Sequence, residues 1–372
     1  MTILLSRDLL GGDYDVIVDA DRRLKRTRAQ SGADVIVGLN RVAINELRDI
    51  APVFGLELPD LVPGPLRDSY TSIYGQNVNW TLALGSERFN KRIVEFARSV
   101  VKIAESVLSH TYWSTLVKSR LILSRLERSR VDALTLRTQV GFSTDDQGLT
   151  LLGGDGWTSF IRYGHNTQTG RLRVVSGPKI LTMQRERRLA LRSRYTDGVI
   201  ASIDFSNHEP RIVKLLTSGL APDDIYEDMA ARLQLDGGRA RAKLATIATL
   251  YGSHSLEPSL AKKVKEYFGI EKLQRDYLGE ERLVNLYGRP LAPDSHRSRI
   301  SYFVQSTGVD VALIGFNTFI DQTGAIPLFV IHDALIVDVE RSTFNELTSR
   351  RQAVTIENLG EFPLRLEPVV GA

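Results

Sequence analysis

Apolar residues recur along this chain with two different periods, and the change of period marks where its elements begin and end. Between Glu87 and Leu108, Phe89, Ile93, Phe96, Val100, Ile103 and Val107 return at threes and fours, the spacing of an amphipathic helix. A second helix is predicted over Tyr112–Leu126. From Val199 to Phe205 the period falls to two: Val199, Ala201, Ile203 and Phe205 face one way and Ile200, Ser202 and Asp204 the other, as in a strand. Arg239–Tyr251 lacks Gly and Pro, is rich in Ala and Leu and follows Gly237-Gly238, so it reads as a helix. Thr307–Asp321 predicts another, with Asn317 inside it and a stripe of Val309, Leu313, Phe316 and Ile320. Leu328–Val339 reads as a hairpin with His332-Asp333 at or beside its turn. The first 80 residues offer only short extended runs, Val16–Val18 and Val35–Val37, and Pro/Gly-rich turns between Pro52 and Pro65. Beyond Arg130 the texture becomes short strands and Gly turns.

Composition narrows the class without naming a function. The 372 residues include 42% hydrophobic and 25% charged positions, the balance of an ordinary globular protein with room for a sizeable core. With no Cys there are no disulfides, thiolate catalysis or Cys-metal sites, and six scattered His add little metal capacity. No uninterrupted apolar run reaches the roughly 18 residues of a bilayer span, and the N-terminus lacks a secretory pattern, so a cytoplasmic protein is expected. The net charge of +4 is mild, but the cations cluster. Arg185, Arg187, Arg188, Arg192 and Arg194 crowd ten positions, and Lys118, Arg120, Arg125, Arg128 and Arg130 lie nearby. Such runs are either solvated faces or polyanion contacts.

Two carboxylates stand at positions where chemistry is often placed. Asp204 ends the alternating strand and Asp333 sits at the hairpin bend. If the two strands are neighbours, the carboxylates converge, and divalent cations such as Mg²⁺ would make them tolerable there. The alternative is a pair of ordinary turn or cap residues. Arg239, Lys243, Ile247 and Tyr251 are spaced by four and share one helical face. Cations near a helix start do not serve the helix dipole, which favours anions there. A triphosphate would supply the anion while Ile247 and Tyr251 cover a base; a plain surface stripe is the other reading.

Together these pieces resemble the family A DNA polymerases. Asp204-Phe205-Ser206-Asn207-His208-Glu209-Pro210-Arg211 resembles the DYSQIELR motif, Arg239-Ala-Arg-Ala-Lys243 with Tyr251-Gly252 resembles the R-x-x-x-K…YG helix, and His332-Asp333 resembles the HDE motif. Thr169-Gly170-Arg171-Leu172 is similar to the TGRL segment, Gly288-Arg289 to the later G-R, and Gln305-x-Thr307-x-x-Asp310 to the QGTAAD helix start, with Arg297 eight residues before Gln305. The motifs follow the family's order across residues 167–340. Four positions depart: Ile247 replaces the aromatic residue that stacks on the base, Ala248 and Ser306 replace glycines, and Ala334 replaces the final Glu.

The resemblance implies an α+β right-hand fold with an antiparallel palm sheet, helical fingers and a reduced helical thumb. Its division would be an N-terminal segment without assigned fold (1–80), a thumb-like region (81–135), palm (136–215 and 293–372) and fingers (216–292). It implies template-directed addition of dNTPs to a primer 3′-hydroxyl, without proofreading. Two Mg²⁺ ions, replaceable by Mn²⁺, would sit on Asp204, Asp333 and the Phe205 carbonyl. Arg239 and Lys243 would hold the triphosphate, Ile247 and Tyr251 the base, and Ser206 would line the nucleotide site. Glu209, hydrogen-bonded by Tyr251, would exclude a ribose 2′-hydroxyl. Arg171, Arg192, Arg297, Gln305 and His332 would bind primer–template DNA. The expected protein is a monomer in bacterial or phage-infected cytoplasm, aided by a replication or repair accessory protein and not by a membrane. Two other functions fit the same residues: a polymerase-derived DNA-binding protein with weak or lost catalysis, and a two-metal nuclease.

Overall fold

In the computed structural model, the described residues are 3–5, 15–18, 24–27, 35–37, 62, 64–74, 80–107, scattered positions in 115–123, then 125–140, 147–164, 167, 169–252, 256–279, 283–291, 293 and 299–369. The chain divides into two compact units, Met1–Ser124 with Gly164–Asn166, and Arg125–Tyr163 with Thr167–Ala372. The first contains β1 (Ile3–Leu5), β2 (Asp15–Val18), β3 (Leu24–Thr27) and β4 (Val35–Val37), then α1 (Gly64–Tyr74), α2 (Trp80–Leu84) and α3 (Ser86–Val107). Both extended runs read from the sequence are therefore strands. They belong to one mixed sheet of order β3-β2-β1-β4, antiparallel except for the parallel β1–β4 pair. The predicted 87–108 helix is α3, which buries Phe89, Ile93 and Phe96. Most of the helix expected over 112–126 lies outside the described residues.

The second unit begins with β5 (Arg130–Val131), α4 (Ala133–Val140), β6 (Arg162–Gly164), β7 (Arg173–Ser176), β8 (Leu191–Arg192) and β9 (Gly198–Phe205). A helical block follows: α5 (His208–Ser218), α6 (Ile225–Leu233), α7 (Gly238–Tyr251), α8 (Pro258–Phe268) and α9 (Ile270–Tyr277). The chain ends with β10 (Leu283–Val284), β11 (Pro290–Leu291), α10 (Arg299–Thr323), β12 (Ile326–Ile331), β13 (Ala334–Glu340), α11 (Arg341–Thr348), β14 (Gln352–Ile356) and β15 (Gly360–Pro368). Its centre is a five-stranded antiparallel sheet of order β12-β13-β9-β15-β14. The strand read at 199–205 is β9, the middle strand, paired with β13 and β15.

Both faces of that sheet are covered, so few of its side chains stay wet. On one side Ile200, Leu328, Phe329 and Ile336 pack with Leu136, Ile180, Met183 and Leu191. On the other, the Phe205 ring meets Phe316 of α10 at 5.3 Å and Phe362 of β15 at 6.0 Å. Gly315 permits this approach, because a Cβ there would lie 2.7 Å from Phe205. Helix α10 is longer than the predicted 307–321, beginning at Arg299, so Gln305 sits inside the helix and not at its start. By length and composition α10 could cross a membrane, yet 78% of its apolar window is buried within the protein. A separate core joins the helical block: Ile225, Met229, Ala242, Ala245, Leu250 and Phe268 pack with Phe303 and Val304 at the start of α10.

Candidate functional site

Charged groups surface at one end of the central strands, where β9 stops and β12 turns into β13. Ala334 pairs with Asp204 across β13–β9, which brings the β12–β13 turn and its Asp333 beside the end of β9. His332 takes a left-handed backbone, φ 55°, to close that two-residue turn, and both His332 and Asp333 are exposed. Asn207, φ 52°, turns the chain sharply from β9 into α5. That turn returns Glu209 toward the cleft while Asp204 stays on its floor. The carboxyl of Asp204 is pushed up to about 6, first by the enclosing protein and then by the Asp333 charge.

Facing this floor is α7. The cavity between them, about 680 Å³, is lined by Asp204, Phe205, Ser206, Glu209, Asp333, His332, Arg171 and Gln305 together with Arg239, Lys243, Ile247 and Tyr251. Thus twelve of the fourteen residues singled out in the sequence meet in one place. Arg192 does not: its guanidinium is spent on Asp132 at 2.8 Å and on the Leu189 carbonyl at 2.6 Å, and it lines a different hollow with Arg130 and Trp157. Arg297 lies outside the described residues.

Two cations of the cleft rest on carboxylates. Arg239 donates to Asp224 at 2.7 Å and lies over the Tyr226 ring at 5.3 Å. Burial opposes ionisation of Asp224, but the Arg239 bond and two backbone donors outweigh it and hold the carboxyl below its usual range. Arg171 donates to Glu209 at 3.2 Å. The expected Tyr251–Glu209 hydrogen bond is not made; burial pushes the Glu209 carboxyl up, and Arg171 draws it partly back. Ile247 and Tyr251 are 42% and 39% exposed, which leaves an apolar and aromatic face open above the floor.

The expectation of two Mg²⁺ or Mn²⁺ ions is corrected here. Among the described residues no group of three or more His, Cys, Asp and Glu side chains could hold a metal ion. Asp204 and Asp333 do come together, and the Phe205 amide donates to the Asp333 carbonyl at 3.5 Å, but the next residue is Ala334, where the motif has Glu. On the opposite side of Asp204 the neighbour is a cation, Arg365. The two-metal nuclease loses its basis with the ions.

Several residues of the site were not foreseen. Asp224 caps α6, accepting from the Tyr226 and Glu227 amides, and holds Arg239 as well; Asp before an apolar run was the available signal. Arg211, matched in the sequence only as part of the DYSQIELR-like motif, is 3% exposed and is a brace that donates to the Pro222 and Asp223 carbonyls and so anchors the loop leading to Asp224. Arg289 and Asp310, recognised only as separate motif fragments, form a buried ion pair at 2.9 Å joined by Asn285, which also bonds Ser306. Gly170 abuts the same pair, because a Cβ there would lie 2.8 Å from the Arg289 guanidinium carbon. Three weak motifs thus meet at one polar knot beneath the cleft. Tyr226 and Arg365 had no distinguishing sequence signal.

No protein-family model matches the sequence, and no curated protein matches it. Among solved structures, the chain is similar to the POL domain of Pol1 from M. smegmatis in complex with DNA primer-template and dNTP. The TM-score is 0.58 at 13% identity, covering 99% of this chain and 94% of that one. The chain therefore has an α+β, family A DNA polymerase-like fold over nearly its whole length, at low sequence identity.

Proposed function

We propose that the chain is a template-directed DNA polymerase that adds dNTPs to a primer 3′-hydroxyl and does not proofread. The observation that carries this is the cleft itself, where two carboxylates on the sheet face two cations, an apolar residue and an aromatic ring on one helix. In this reading the five-stranded sheet is the palm, residues 216–292 are the fingers and 81–135 contribute a thumb. Arg239 and Lys243 take the triphosphate and offset the charge that develops on departing pyrophosphate. Ile247 and Tyr251 cover the base, and Asp204 and Asp333 face the primer terminus, where a carboxylate accepts the 3′-hydroxyl hydrogen bond. Glu209, held by Arg171, occupies the side of the cleft where a 2′-hydroxyl would go. Gln305 and His332, with Arg297, contact primer–template near the primer end through groove acceptors present at every base pair. The protein acts as a cytoplasmic monomer with an accessory factor.

One observation favours a second reading, a polymerase-derived protein that holds DNA and nucleotide without joining them: beside the two carboxylates of the floor stand Ala334, where the motif has Glu, and a cation, Arg365. Primer extension with each dNTP and NTP separately, run beside primer–template and dNTP binding, separates the two. Templated extension supports the polymerase. Tight binding of both ligands with no extension replaces it by the second reading, and no binding removes both. A 3′-mismatched primer without dNTP should keep its length; shortening would reveal an exonuclease.

A further inference from the structure

We infer that Arg365 is a phosphate-binding residue of the cleft, gripping the phosphate chain of an incoming nucleotide from the sheet side. This rests on the reading of the cleft as a nucleotide site, and it assigns that site a cation absent from the motifs. Arg365 pairs directly with Asp204 across β15–β9. Residues directly opposite each other on antiparallel strands project from the same face, with Cβ atoms about 5 Å apart. Arg365 accordingly lines the same cavity as Asp204, Asp333 and Lys243. In the order β13-β9-β15, Asp333 lies on one side of Asp204 and Arg365 on the other.

The arrangement makes a polyphosphate position between two walls. Arg239 and Lys243 approach from α7, whereas the sheet otherwise offers Asp204 and Asp333, which repel an anion. Arg365 supplies the opposing charge on that wall and already draws the Asp204 carboxyl downward. Its guanidinium is 72% exposed and is held by Glu367 at 2.5 Å. Glu367 has a second cation, Arg185, at 3.9 Å, so it keeps an ionic partner when Arg365 turns toward a ligand. A planar guanidinium grips phosphate oxygens bidentately.

The test uses the full chain and two probes, dATP in templated extension and inorganic triphosphate in calorimetry. Arg365→Ala should raise the KM for dATP and the Kd for triphosphate by about tenfold each. The primer–template Kd should stay within about twofold. Arg365→Lys should recover part of both losses, since it keeps the charge and loses the fork. Because the side chain is exposed, an unchanged melting curve confirms that the variants fold. An unchanged triphosphate Kd overturns the assignment, as does a loss confined to primer–template binding. A wild-type chain that extends no primer removes the polymerase reading, and the triphosphate titration then decides Arg365 alone; equal binding by wild type and variant, or none by either, overturns it.

Discussion

Two arginine-bearing regions of this protein use the same side chain for opposite purposes. In the segment 185–194, guanidiniums are tied to the polypeptide: Arg187 to the Gln139 carbonyl, Arg188 to those of Ile180 and Met183, Arg192 to Asp132, and Arg194 to Glu127, the Arg128 carbonyl and buried Asp338. In the cleft, Arg171, Arg239 and Arg365 each rest on one carboxylate at a wet surface. The first set ties loop carbonyls and carboxylates together. The second set keeps partners that an incoming anion can replace, at little cost because exposed ion pairs are worth only about 0–1 kcal/mol. The densest run of cations in the sequence thus includes four arginines held by partners within the protein, with Arg185 the exposed exception.

The comparison can be broken or sharpened by substitution. The largest effect is expected at the floor of the cleft. Asp204→Asn and Asp333→Asn should each lower templated incorporation by about 10³-fold or more while primer–template affinity holds, measured in single-turnover extension. Wild-type rates in either variant would remove that residue from the reaction.

Arg289→Ala comes next, because it leaves Asp310 buried and unpaired. A loss of about 3–5 kcal/mol in denaturant unfolding is expected, whereas a loss under about 1 kcal/mol would show that water replaces the guanidinium.

Lys243→Ala should lower kcat/KM for dNTP by about 10²-fold with little change in melting temperature. Arg192→Ala should do the reverse, destabilising the fold by about 1–3 kcal/mol through its stranded carbonyl and carboxylate acceptors while leaving the DNA Kd within about twofold. A DNA-binding defect in Arg192→Ala would dissolve the distinction between brace and grip.

The smallest effect concerns pH. In the folded protein Asp204 titrates near 6 instead of its ordinary 3.8, so the folded state holds a proton that the unfolded chain has released between those values. Stability contributed by the protonated form is complete below about pH 3.8 and is lost as pH rises through about 6. Asp204→Asn should consequently melt a few degrees higher at pH 7.5 and no higher at pH 4. Equal melting at both values would mean that the carboxylate is not crowded in the free protein.

The sequence alone determined the elements whose evidence is local. A period of two around 199–205, a period near 3.6 in α3, the Gly- and Pro-free, Ala- and Leu-rich run of α7, and the turn at His332-Asp333 each follow from a few successive side chains, and each appears at or within a few residues of its predicted place. The order of short motifs was enough to bring together most of the cleft, because side chains spaced by four on one helix must share a face. Tertiary structure decided what depends on partners distant in the chain. Arg365 meets Asp204 only through the β15–β9 register, Arg289 finds Asp310 only after α10 is packed, and Arg192 meets Asp132 only because β8 pairs with β5. The metal expectation failed for a related reason: two aspartates can be read from a motif, but which groups complete their surroundings depends on which strand lies alongside, and strand neighbours are chosen by the burial of both sheet faces together.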